Sequence, residues 1–130
     1  MLICENIEER RKHKRFKAKN NTFTGFGPNS VKIGQIIDIS RGGMAFRNTD
    51  PRTRFFQFAE LSLIVDDVAL NINQVPFKFP SKMISVSDFS TRNPFNFIKV
   101  RRYAVEFQNL SELQLFWLDY FIKNHTLCEV

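Results

Sequence analysis

Two groups of residues in this 130-residue chain have the types and spacing of a binding site. The first is Arg11-x-x-x-Arg15, with Arg10 beside the first arginine. A guanidinium is a planar fork of donors, able to grip a phosphate or the O6/N7 edge of guanine through two parallel hydrogen bonds. The second group is Asp38-Ile-Ser40-Arg-Gly42-Gly43. Side chains alternate along a strand, so Asp38 and Ser40 share a face and set a carboxylate beside a hydroxyl at a strand end. The carboxylate suits the N1–H and N2–H donors of a guanine. Gly42 and Gly43 allow a tight turn and the close approach of a ligand to the backbone. Taken singly, each group has a plainer reading. The arginines are then cations of a solvated tail, and Asp38 accepts local backbone hydrogen bonds in a turn.

Catalytic chemistry has little to work with. His13 and His125 have no metal-ligand partner at helical spacing, and no nucleophile elbow or phosphate loop is present. Asp66-Asp67 reads as a hairpin turn and not as a catalytic carboxylate pair. The chain is therefore read as a binding protein and not an enzyme.

Charge is concentrated near the N-terminus. Seven Lys and Arg residues and no acid lie between Arg10 and Lys19, whereas the other 120 residues carry a net charge of −1. That excludes a uniformly basic protein and leaves a near-neutral domain with a basic arm. The arm has two binding readings, specific contacts from its arginines and non-specific attraction to nucleic acid. The 15 Phe residues point to a core filled by phenyl rings. No apolar run approaches the roughly 20 residues needed to cross a bilayer, and the start lacks the pattern of a signal peptide. A cytoplasmic protein is expected, with Cys4 and Cys128 as free thiols.

The elements that must hold these residues can be outlined. Residues 1–19 read as a flexible arm and 20–130 as one domain, entered through a turn-rich linker at residues 20–30. Val31 to Ser40 alternates, with Val31, Ile33, Ile37 and Ile39 on one face. Further strands are expected at Met44–Arg47, Phe58–Val65, Val68–Ile72, Lys82–Ser87 and Val100–Phe107, with a long loop over Asp88–Lys99. Short strands divided by turn signals suit a small antiparallel barrel or sandwich, so the class is all-β with a terminal helix. Ser111-Glu-Leu-Gln114 has the form of a capping box, and the helix should run over about 110–125. Leu113, Phe116, Trp117, Tyr120 and Phe121 form one apolar stripe on it, and Leu115, Leu118 and Ile122 form a second face. One face would cover the barrel. The other is open to a second subunit, giving a homodimer, or to a covering loop.

Together, Arg11-x-x-x-Arg15 and Asp38-x-Ser40-x-x-Gly43, about twenty residues apart, resemble the signature of the PilZ domain family. The late strand Tyr103-Ala-Val-Glu-Phe107 and the Leu110–Gln114 approach to an aromatic helix extend the resemblance through nearly the whole chain. Ala104 departs from it, at a position where glycine is common, and the change is expected to touch packing and not binding. The resemblance implies a six-stranded antiparallel β-barrel with a flexible basic N-terminal arm and a C-terminal α-helix. It implies a bacterial receptor for cyclic di-GMP that needs no cofactor and relays its signal by conformational or partner change. Arg11 and Arg15 would grip phosphates and guanine edges, with Asp38 and Ser40 holding a guanine and Gly43 keeping the turn open. An arginine at the position of Arg10 implies an intercalated dimer of the ligand. The expected partners are cyclic di-GMP and a downstream protein, with no specific nucleic acid and no membrane insertion. A PilZ-like protein-binding adaptor and a nucleic-acid-binding module are the alternatives.

Overall fold

The computed structural model describes residues 2–3, 13–26, 32–48, 58–66, 68–69, 71–72, 75–89 and 100–130. Arg10, Arg11, Cys4 and most of the expected loop at residues 88–99 lie outside them. The described strands are β1 (Leu2–Ile3), β2 (Phe16–Ala18), β3 (Thr22–Phe26), β4 (Lys32–Ile39), β5 (Gly43–Asn48) and β6 (Phe58–Val65). They continue with β7 (Val68–Ala69), β8 (Asn71–Ile72), β9 (Val75–Pro76), β10 (Lys78–Phe89), β11 (Val100–Phe107) and β12 (Thr126–Glu129). The single helix among the described residues, α1, spans Glu112–His125.

Strand pairing runs β4-β3-β6-β10-β11-β5, and β5 pairs back onto β4. All of these pairings are antiparallel, so the six strands close into a barrel without free edges. The second half of β4 also pairs with β2, which carries β12 and then β1 on its far side. Several elements depart from the sequence expectation. β1, β9 and β12 have no expected counterpart, and β10 extends past Lys82–Ser87 at both ends, into the first two residues of the expected loop. β3 arises from the turn-rich stretch assigned to a linker, and β2 from the end of the arm. The residues of β3 are held by burial: Thr22, Thr24 and Phe26 point inward, and Thr24 Oγ1 donates to the Ser62 carbonyl at 2.8 Å.

The phenyl-rich core is present. Phe46 and Tyr103 stack with ring centroids 5.3 Å apart, and Phe26 lies 5.1 Å from Phe46. Leu61, Leu63 and Phe79 complete the buried interior. Aromatic pairs in tilted or offset arrangements add to the burial of their area.

Three further expectations change. In β4 the register against β5 slips between Ile36 and Asp38. The slip changes which residues face inward, so Ile36 and Ile39 are buried while Ile33 is 55% exposed. On α1 the buried residues are Leu118, Phe121 and Ile122, whereas Leu113, Phe116 and Tyr120 face outward. Most of the second apolar face, with Phe121, therefore covers the barrel. Finally, Cys128 is disulfide-bonded and not a free thiol. Parallel pairing of β1 with β12, which sets Leu2 opposite Cys128, brings the two ends of the chain together there. The capping box stands as expected, with Gln114 N donating to Ser111 Oγ and Ser111 N to Gln114 Oε1.

Candidate functional site

β2 and β4 bring the arm to the second motif. Phe16 lies opposite Ile39 and Lys17 opposite Asp38, so Arg15 leaves β2 beside Ser40. Arg15, Asp38, Ser40, Gly42 and Gly43 line one open cleft of about 640 Å³. That volume is within the range of small-molecule sites. Arg10 and Arg11 belong to the undescribed segment that leads into His13.

The β4–β5 turn is built largely by Ser40. Its Oγ accepts from the N–H groups of Gly42 at 3.1 Å and Gly43 at 3.2 Å, and Ser40 N donates to the Gly43 carbonyl at 2.8 Å. Ser40 is 6% exposed, and its hydroxyl holds the turn. Both glycines also have close protein neighbours. A Cβ on Gly43 would sit 2.1 Å from the Val105 carbonyl oxygen on β11, and one on Gly42 would sit 2.7 Å from His13 Cδ2. Gly43 thus lets β5 approach β11, while Gly42 seats the His13 ring from the arm. His13 joins the site as the wall over the turn.

The remaining walls come from distant sequence. Arg102 on β11 pairs with Asp38, Nη2 to Oδ2 at 3.6 Å. Ile84 is the extra residue where β10 slips against β11, and it hangs 54% exposed over the cleft. A bulge commonly re-aims a side chain in this way. Ala104 also lines the cleft, so the departure from the family pattern falls on the site wall. Leu110 and Leu115 close the side nearest α1. Arg41, in the turn, reaches Asp119 on α1 through Nε to Oδ1 at 3.1 Å. Both partners are about half exposed, so this contact contributes orientation more than stability. Among the described residues no cluster of His, Cys, Asp and Glu could hold a metal ion. None of their helices is long and apolar enough to cross a membrane.

The PilZ domain family model matches residues 9–123. The chain is a member of the PilZ domain family. No curated protein matches it. The solved PilZ domain of YcgR from Escherichia coli, with c-di-GMP, superposes on this PilZ domain with a TM-score of 0.65 at 20% identity. That match covers 90% of this chain and 92% of the other. The K. pneumonia MrkH–c-di-GMP complex gives 0.65 at 13% identity, covering 91% of this chain and 53% of MrkH. The Bacillus subtilis inhibitor of motility MotI/DgrA gives 0.54 at 15% identity, covering 89% of this chain and 50% of the other. This PilZ domain therefore spans about half the length of the latter two proteins.

Proposed function

We propose that this PilZ domain is a non-catalytic cytoplasmic receptor for cyclic di-GMP. The observation that carries the reading is the convergence of Arg15 with the Asp38–Gly43 turn on one cleft, although they arise from separate motifs. The family membership and the c-di-GMP in two of the similar structures support it. Arg15 would pair with a phosphate or guanine edge, and Asp38 would accept from a guanine. Arg11 would act with Arg15, and Arg10 would favour an intercalated pair of ligand molecules. The ligand carries a negative charge on each phosphate, and the basic arm raises its local concentration.

Binding would be relayed through the Arg41–Asp119 contact, which ties the turn to α1. The outward residues Leu113, Phe116 and Tyr120 on that helix suit a downstream protein or a second copy of the chain.

Isothermal titration with cyclic di-GMP tests the reading. Absence of heat at concentrations on the order of tens of micromolar would overturn it, and a binding ratio near unity would remove the intercalated pair. A bidentate arginine–guanine contact is worth roughly 1–3 kcal/mol, so Arg15→Ala should weaken binding about tenfold or more. Lys19→Ala should cost far less. Equal losses in both would indicate diffuse charge.

A further inference from the structure

We infer that Arg102 is a positioning residue for Asp38 and sets the preference of the cleft for guanine. The inference rests on the nucleotide-binding reading above. It concerns a residue outside both sequence motifs.

The sheet supplies the geometry. Asp38 on β4 lies opposite Ala45 on β5, and Ala45 lies opposite Ala104 on β11. Cross-strand partners share a face, so two alanines form the floor between the outer strands. Arg102, two residues before Ala104, stands on that same face. Arg102 lies opposite Arg47, which turns to Gln35, so the long side chain of Arg102 crosses β5 on the diagonal over Ala45 and brings Nη2 to 3.6 Å from Asp38 Oδ2. A large residue at either alanine would fill that path.

Electrostatics gives the pair a purpose. The Asp38 side chain is 15% exposed and that of Arg102 is 30% exposed. Such a pair is screened less than a surface one, and loss of Arg102 removes one of the groups that hold the Asp38 charge. Without Arg102, the Asp38 carboxylate would also face an anionic ligand with less compensation. A carboxylate has about four lone-pair sites, so Asp38 can serve Arg102 and a guanine edge together. At 3.6 Å the contact is an ion pair longer than a good hydrogen bond, so Arg102 holds the carboxylate through charge. Guanine presents N1–H and N2–H to such an acceptor, whereas adenine has no matching pair of donors. A carboxylate held in one pose can therefore separate the two bases.

The test is a double-mutant cycle read by calorimetry, with cyclic di-GMP and cyclic di-AMP as the probes. Arg102→Ala should weaken cyclic di-GMP binding about tenfold and narrow its preference over cyclic di-AMP. Arg102→Lys, which keeps the charge but not the fork, should recover part of the loss. In an Asp38→Ala background, Arg102→Ala should cost little more, because the residues act as a unit. Arg101→Ala, one residue away and outside the cleft, should bind as the unaltered protein does. Thermal melts of every variant separate lost folding from lost recognition, and Arg102→Gln replaces Arg102→Ala if the latter unfolds. Unchanged affinity and selectivity in Arg102→Ala would overturn the inference while leaving the site reading intact. Fully additive losses would overturn it too, since Arg102 would then act independently of Asp38. Failure of the unaltered protein to bind would sink the site reading itself.

Discussion

At the turn between β4 and β5, one hydroxyl oxygen holds two backbone N–H groups. Ser40→Ala removes that acceptor in a setting that is 6% exposed. Leaving a buried donor without a partner costs about 1–3 kcal/mol, so the urea midpoint should fall by the corresponding amount. Ligand affinity should fall with it, because the turn carries the glycines and Arg41 beside the cleft. A midpoint equal to that of the unaltered protein would show that water replaces the hydroxyl. Arg15, Asp38 and the turn are legible from residue types and spacing, because each motif is a short contiguous run of sequence. The same spacing cannot show that Ser40 and both glycines are engaged by protein atoms. Arg102, Ile84 and His13 escape such a reading as site residues. The first two reach the cleft only through strand pairing, and no local pattern records which strands become neighbours. His13 stands within the first motif, and the small residue at Gly42 is the one signal of its seat.

Strands show the same division. β6 and β11 are legible to the residue because Leu61, Leu63 and Val65, and Tyr103, Val105 and Phe107, alternate between turn or charged flanks. β3 is not, because Asn20, Asn21 and Gly25 favour turns locally and the strand exists through pairing with both β4 and β6. The slip at Ile37 hides the true inner face of β4, since one extra residue reverses the alternation beyond it. Close packing between β5 and β11 gives a sharper test. A methyl group on Gly43 would stand 2.1 Å from a backbone oxygen, whereas on Gly42 it meets the ring of a side chain that can swing away. Gly43→Ala should therefore destabilise by about 1–3 kcal/mol, and Gly42→Ala should leave the melting temperature nearly unchanged. Differential scanning calorimetry of the two variants checks the contrast. Equal shifts would mean that the strands separate without cost.

Across the whole molecule, the helix C-terminus is where the chain ends meet the barrel. Lys19 N donates to the His125 carbonyl at 3.1 Å, and the imidazole lies 5.3 Å from the Phe121 ring. Burial, and then the nearby Lys19 charge, hold the His125 pKa below its ordinary 6.5. The unfolded chain thus binds this proton more readily than the folded one. The contribution is fully present above pH 6.5 and is lost as the pH falls through the lower folded value. Stability should therefore decline on acidification below neutrality, and His125→Gln should flatten that part of a melting-temperature profile. An unaltered slope in the variant would assign the decline to other groups. The opposite end of the same helix meets the cleft through Leu110 and Leu115, and the lone tryptophan of the chain sits between them and His125. Trp117 Nε1 is buried and has no hydrogen-bond partner among the described residues, and Tyr120 lies 5.6 Å away. An indole so shielded emits at shorter wavelength than one in water, and light absorbed by Tyr120 can pass to it. Because Arg41 ties the turn to Asp119, two residues beyond that indole, the protein carries its own unlabelled fluorophore beside the path from cleft to helix.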